Sequence, residues 1–276
     1  MTNIGLKTIT QEELDKVLSN HKTWLESNGT KGTRADLSYT DLSDSDLSKI
    51  DLSGSDLSYS NLSYSNLSGS DLSYSYLSDT DLSKTNLSYS NLSGSNLSRV
   101  NLSNSILPYS DLSKSDLYGA DLSYIDLAGS DLSHSDLSNS NLSNSNLSYS
   151  ILSYSILPYS DLSHSDLSDS ILSHSILSHS DLSNSNLSNS DLSGANLTRV
   201  NLNRSNISNI IGKRIITFQG NKDFAYYVDG YIKIGCEYHT LDYWIKNYER
   251  IGTEAEYSSE DIESYGNWIK SIKTEG

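Results

Sequence analysis

Serine, histidine and aspartate crowd together through the middle of this chain, and the set Ser133, His134 and Asp136 has the residue types of a hydrolytic triad. Such a triad needs a base aimed at a nucleophile, a third group that orients the base, and donors for an oxyanion. The flanking residues are the same Ser, Leu and Asp that recur everywhere nearby, with no strained turn or oxyanion hole among them, so no enzyme is expected. No glycine-rich loop follows a strand and opens a helix, which removes the nucleotide-binding motifs, and no cofactor is expected. What these residues supply in quantity is charge. Between 35 and 209 there are twenty Asp against three Lys and three Arg, a net of −14 out of −16 for the whole chain. Asp111, Asp116, Asp121, Asp126, Asp131 and Asp136 follow one another at intervals of five, while Ile151, Ile156, Ile171 and Ile176 interrupt the same acidic and amide position.

That interval decides which elements hold these groups. Leucine stands at every fifth position from Leu37 to Leu202, 34 times without exception, and Ile207 closes one more unit. On a helix a five-residue step rotates about 140° beyond a full turn, and on a strand it alternates faces, so neither could bury every leucine. A chain that turns a corner once per unit can point them all at one axis, with four corners closing a coil of twenty residues. The position two before each leucine is small, usually Ser, with Ala35, Ala120 and Ala195 as variants. The two residues after it have turn chemistry: Pro108 and Pro158 take the first place, and glycines such as Gly54, Gly94 and Gly129 the second, the order of a type II turn. Where the second place holds Tyr, Lys, Asp or His, as at Tyr59 and Lys84, a type I turn with negative φ is expected.

The units SDLSG, SNLSY and ANLTR within residues 35 to 209 resemble the pentapeptide-repeat family. The resemblance implies an all-β solenoid, a right-handed quadrilateral β-helix with four leucines inside each coil. Thirty-five units then make nearly nine coils, about 42 Å long at the usual strand spacing. Residues twenty apart should stack. The row Asp41, Asn61, Asp81, Asn101, Asp121, Asn141, Asp161, Asp181, Asn201 alternates acid and amide almost throughout, a pattern not shared by the other rows. Two carboxylates about 4.8 Å apart repel by ~0.9 kcal/mol in water, and an interleaved amide relieves that. In the same coil geometry His134 and His174 sit two coils apart, too far for one zinc, and no metal is expected.

Three segments are expected: a capping helix and loop over 1–34, the solenoid over 35–209, and a small C-terminal α/β domain over 210–276. Thr10 and Glu13 have the spacing of a capping box ahead of an apolar face made by Leu14, Val17, Leu18, Trp24 and Leu25, suited to cover the first coil. In the tail, Asp229-Gly230 between two β-rich runs signals a hairpin, and helical periodicity covers about 241–251 and 259–273. The order of helix, uninterrupted repeats and GYIKIGCEYHTLDYW tail also resembles pentapeptide proteins of phage and prophage genomes.

Leu, Ile, Val and Phe together make up only 66 of 276 residues, and Cys236 is the only cysteine. A disulfide framework is therefore excluded, and with no apolar N-terminal run the expectation is a cytoplasmic protein. Net acidity disfavours direct contact with nucleic acid or an anionic membrane and favours a protein with a basic surface. Spread along the solenoid, the charge is about one per 3 Å, against one per about 1.7 Å on duplex DNA. Members of the resembled family of the Qnr and mycobacterial fluoroquinolone-resistance types are DNA-shaped rods that engage gyrase or topoisomerase IV. The resemblance thus implies a DNA-mimicking rod that binds and inhibits a DNA-processing protein, with the six successive aspartates as its acidic collar. This chain differs in having no loop inserted in the solenoid and a whole domain as its tail. The alternative is a spacer or assembly module docking through Ile151, Ile156, Ile171 and Ile176, bordered by Tyr149, Tyr154 and Tyr159, with a second copy or another protein as the occupant.

Overall fold

The computed structural model describes residues 5–274. Every leucine of the series from Leu37 to Leu202 is between 0% and 2% exposed, so a quarter-turn per five residues does place them all on one axis. The residue before each leucine forms a parallel bridge with its counterpart twenty positions on, from Asp36↔Asp56 to Asp191↔Ile211. In the first bridge the Leu37 N–H donates to the Asp56 carbonyl at 2.7 Å, and the Asp56 N–H donates to Ala35 at 3.0 Å. Four such bridges separate one coil from the next, which makes the coil four-sided with four leucines inside.

Most corners are closed by a bond from the N–H three residues after the leucine back to the leucine carbonyl, as in Ser45 to Leu42 at 3.3 Å. The expectation of type I turns at non-glycine corners is overturned. Every second corner residue from Tyr39 to Asn209 has positive φ, 55° to 62° where it carries a side chain and 65° to 69° where it is glycine. One turn geometry therefore runs the length of the solenoid. The left-handed conformation costs an L-residue roughly 1–2 kcal/mol, and it persists because neighbouring coils fix it. The corner N–H is anchored in the next coil, Tyr39 to the Ser58 carbonyl at 3.0 Å for example, and corner rings such as Tyr39 and Tyr59, or Tyr89 and Tyr109, stack coil upon coil.

The inward position before the bridging residue is mostly serine because the hydroxyl can reach the leucine carbonyl three residues back. Ser60 donates to Leu57 at 2.6 Å, and the same bond recurs along the rod. Smallness is not a strict rule at this position: the sequence itself carries Val100, Ile125 and Val200 there, and the structure buries all three fully.

At the first coil, β1 (Lys7–Thr8) pairs in parallel with β2 (Thr40–Asp41). Helix α1 (Gln11–Glu26) starts at a reciprocal cap, with Glu13 N–H donating to Thr10 Oγ1 and Thr10 N–H donating to Glu13 Oε2. Leu14 joins the leucine core, with Val17 and Leu18 packed on it. The same face buries His21, whose Nδ1 accepts the Ala35 N–H at 3.1 Å where the chain enters the first coil.

At the other end, β3 (Ile215–Gln219), β4 (Phe224–Val228), β5 (Tyr231–Ile234) and β6 (Glu237–Thr240) form one antiparallel sheet in sequence order. Asp229 and Gly230 turn β4 into β5 with φ of 49° and 87°, matching a two-residue hairpin. Alternation along β4 assigns the two faces. Tyr226 and Val228 join the leucine core, whereas Ala225 joins a second core with Ile232, Trp244, Tyr265 and Ile269. Tyr226 is fully buried against the last coil, where its hydroxyl donates to the Val200 carbonyl. Helices α2 (Leu241–Glu254) and α3 (Ser259–Thr274) cover the sheet's other face. Four antiparallel strands followed by two helices on one side is an α+β arrangement rather than an alternating one.

Candidate functional site

The position before each leucine has a local structural task. Asp111, Asp121 and Asp131 accept the N–H of Ser113, Ser123 and Ser133 on Oδ1 at 2.9, 3.1 and 2.8 Å. Asp116, Asp126 and Asp136 do the same with Tyr118, Ala128 and Ser138 at 3.0, 3.2 and 2.9 Å. Asparagine performs the task equally, as when Asn141 accepts from Ser143 at 3.1 Å. The corner therefore asks for a side-chain carbonyl two residues back and is indifferent to its charge. At Asp36 and Asp46 the hydroxyl and N–H of the serine two residues on hold the carboxyl below the ordinary range.

Charge is what the six collar aspartates add. Their Oδ2 atoms accept no hydrogen bond from any described group, and among the described residues none is in an ion pair. One oxygen of each carboxylate is fastened to backbone and the other is left to solvent or a partner. Elsewhere charges are matched within the rod: Arg99 grips Asp79 in the coil below with two bonds, at 2.9 and 2.6 Å.

The bridges distribute the collar over all four sides. Asp111 stacks under Asp131 and Asp116 under Asp136, acid on acid, while Asp121 and Asp126 lie on the remaining two sides under Asn141 and Asn146. Those amides donate to the carboxylates below at 3.3 and 3.0 Å. Equivalent amide-to-acid bonds occur in three rows, including Asn66 to Asp46 and Asn91 to Asp71, so the relief that sequence alternation indicated in one row is more widespread.

Acid and apolar residues turn out to be one continuous surface. Asp131 bridges to Ile151 and Asp136 to Ile156, and these in turn bridge to Ile171 and Ile176. Two adjoining sides thus pass from four carboxylates to four isoleucines, each between 36% and 41% exposed. The corner row between them carries Lys114, His134, Tyr154 and His174. The Tyr154 ring lies between the two imidazoles, 5.1 Å from His134 and 4.9 Å from His174, almost parallel to both. Tyr149 and Tyr159 flank the isoleucines on the neighbouring corners. Ile106 breaks the same Asp or Asn pattern, a signal visible in the sequence, and is 50% exposed, but it stacks under Asp126 on a different side.

The interposed Tyr154 keeps His134 and His174 from sharing an ion, and among the described residues no cluster of three or more His, Cys, Asp or Glu could hold a metal. Ser133, His134 and Asp136 form no hydrogen bonds with one another: the Ser133 N–H goes to Asp131 and Asp136 holds Ser138.

The family model for pentapeptide repeats matches eight copies spanning 35–211. Among solved structures, the chain is similar to HetL, a pentapeptide repeat protein involved in heterocyst differentiation regulation in the cyanobacterium Nostoc sp. strain PCC 7120. The identity is 24%, with 72% of this chain and 94% of that chain covered and a TM-score of 0.41. It is also similar to QnrB1, a plasmid-mediated fluoroquinolone resistance protein, at 19% identity over 59% of this chain and 87% of that one, with a TM-score of 0.31. A third is Rfr23 of the cyanobacterium Cyanothece 51142, at 27% identity over 48% and 63% with a TM-score of 0.21. No curated protein matches by sequence. Pentapeptide repeats imply a right-handed quadrilateral β-helix, and the unbroken five-residue leucine period, the twenty-residue bridging interval and the family match over 35–211 together make this chain a member of the pentapeptide-repeat family.

Proposed function

We propose that this protein is a non-enzymatic binding rod whose acidic sides imitate duplex DNA and occupy the basic groove of a DNA-processing protein: a topoisomerase or gyrase, a nuclease, or a phage-defence protein. The observation that carries this reading is the set of uncommitted Oδ2 atoms on Asp111, Asp116, Asp121, Asp126, Asp131 and Asp136. These are fixed negative charges, held in orientation by the backbone and unmatched by any described cation. Lys and Arg of the partner would take carboxylates in place of phosphates, giving inhibition competitive with DNA and weakening with salt. In this reading the solenoid over 35–209 is the binding part, 1–34 caps one end, and 210–276 closes the other. No described helix is long and apolar enough to cross a membrane, and a cytoplasmic place of action suits a DNA-processing target.

Inhibition assays with DNA gyrase, topoisomerase IV and a nuclease, each titrated with the chain at low and raised ionic strength, test the proposal. Inhibition that is lost at raised salt and relieved by excess duplex DNA supports it, and salt-indifferent behaviour contradicts it.

The Ile151–Ile171 and Ile156–Ile176 pairs favour a second reading, in which a second copy or a spacer partner docks on the isoleucine block around Tyr154. Changing Ile151 and Ile171 to Asp should then abolish self-association measured by light scattering. Unchanged mass and unchanged partner affinity would leave that block without a role.

A further inference from the structure

The rod does not account for a cavity of about 230 Å³ in the C-terminal domain, between the β5–β6 turn and helices α2 and α3. A cavity of about 150 Å³ holds a benzene ring, so this one accommodates an aromatic or branched aliphatic group with a polar substituent. Its walls are apolar and aromatic, drawn from Ile234, Trp244, Tyr248, Ile251 and Ile262. One carboxylate, Asp223, stands among them. The Tyr257 hydroxyl donates to Asp223 Oδ2, while Asp223 Oδ1 accepts from no described group. Burial and that bond to Asp223 push the Tyr257 phenol up, so it remains a neutral donor.

The backbone is shaped around this pair. Gly235 has φ of +56°, and a Cβ there would stand 3.1 Å from Asp223 Oδ2 and 3.3 Å from the Tyr257 hydroxyl. Asp223 is also fixed through its main chain, since its N–H donates to the Tyr265 hydroxyl at 2.9 Å and its carbonyl accepts from that hydroxyl at 2.6 Å. Lys222, the one Lys or Arg of the lining, is engaged elsewhere. Its Nζ donates to the Ala255 carbonyl at 2.8 Å at the end of α2 and lies 4.4 Å from the Tyr257 ring centroid. Glu237 also lines the cavity, but its Oε2 is 2.7 Å from His239 Nε2, which leaves Asp223 as the lining carboxylate with an oxygen uncommitted among the described residues.

We infer that this cavity is a binding site for a small organic cation, a protonated amine on an apolar body, with Asp223 Oδ1 receiving the ammonium and the aromatic walls receiving the body. A charge-assisted hydrogen bond of this kind contributes about 1.5–3 kcal/mol, or roughly ten- to a hundredfold in affinity. The site is independent of the acidic collar, and its failure would leave the rod's function untouched.

Benzylamine is the test probe, with benzyl alcohol and benzoate of matching shape as controls, in calorimetric titrations of the full chain near neutral pH. Cys236, the only thiol, is exposed and lines the same cavity, so its alkylation rate by iodoacetamide is a second readout. Benzylamine is expected to bind at least tenfold more tightly than either control and to slow alkylation of Cys236. Asp223→Asn should remove that preference, whereas Tyr257→Phe, which keeps the carboxylate, should retain it. Equal binding of benzyl alcohol, tighter binding of benzoate, or no binding by any probe would each overturn the assignment. Circular dichroism of both variants separates loss of the site from loss of the domain, and if Asp223→Asn does not fold, the probe preference of the unmodified chain still decides.

Discussion

Asn141 lies in the coil next to that of Asp121 and donates its Nδ2 to the Asp121 carboxylate at 3.3 Å, while its own Oδ1 accepts the Ser143 N–H as the Asp121 Oδ1 accepts that of Ser123. Acid and amide are therefore interchangeable for the corner and differ only in charge. Replacing all six collar aspartates by asparagine should leave the far-ultraviolet circular dichroism unchanged and should raise the melting temperature slightly. The Asp111–Asp131 and Asp116–Asp136 stacks each lose a repulsion of about 0.9 kcal/mol in water. A marked fall in melting temperature would show that the charges, not only the Asx geometry, hold the solenoid.

Leu122 has no exposed surface and belongs to the continuous leucine core. Leu122→Ala should cost about 3–5 kcal/mol. Leu122→Asp introduces an unpaired charge where no polar partner waits and should unfold the neighbouring coils outright. Urea titration followed by circular dichroism reads both.

Lys114 holds φ of +60° at a corner of the collar. Glycine adopts that conformation without the left-handed penalty of about 1–2 kcal/mol, offset by about 0.5–1 kcal/mol of extra chain entropy. Lys114→Gly should therefore stabilise the rod modestly in thermal melts. Destabilisation by more than about 1 kcal/mol would contradict a left-handed corner, because there the relieved left-handed penalty at least matches the entropy that glycine loses.

His21 connects the N-terminal cap to pH. Burial pushes its imidazole below the ordinary value, against an opposing pull from the Asp51 charge. Its Nδ1 must stay unprotonated to accept the Ala35 N–H, and its Nε2 has no hydrogen-bond partner among the described residues. Because the folded-state pKa lies below the unfolded one, the stabilisation is fully present above about 6.5 and is lost as pH falls toward the folded value. Protection factors of the α1 amides, with the intrinsic pH dependence of exchange divided out, should fall between about pH 7.5 and about pH 5, and His21→Gln should remove that dependence. Equal or higher protection at the lower pH would refute it.

The leucine period made the coil legible because burial is absolute in a one-dimensional fold: any leucine out of phase would face water. Bridging at an interval of twenty followed from the same count. Corner conformation was not legible at positions such as Tyr59 and Lys84, because intrinsic preference favours negative φ there and the ladder bonds that override it come from residues nineteen positions away. Contact of Asp131 with Ile151 was implicit in the stacking rule, yet acidic collar and isoleucine block read as separate features until the bridges joined them. The Asp223 cavity had no sequence signature. It arises from Gly235, Tyr257 and Tyr265, which only the sheet and helix packing brings together, and strands β3 and β6, no shorter than β4 and β5, were likewise hidden because they lack the Asp-Gly turn that marks the central hairpin.

The most direct test of the DNA-mimic account is the affinity of a captured DNA-processing partner for the chain and for its six-asparagine variant, measured across a salt series. The account predicts that log affinity for the unmodified chain falls steeply with log salt, that duplex DNA competes, and that the folded variant loses both binding and salt slope. A variant that binds as tightly as the original, with the same slope, would contradict it.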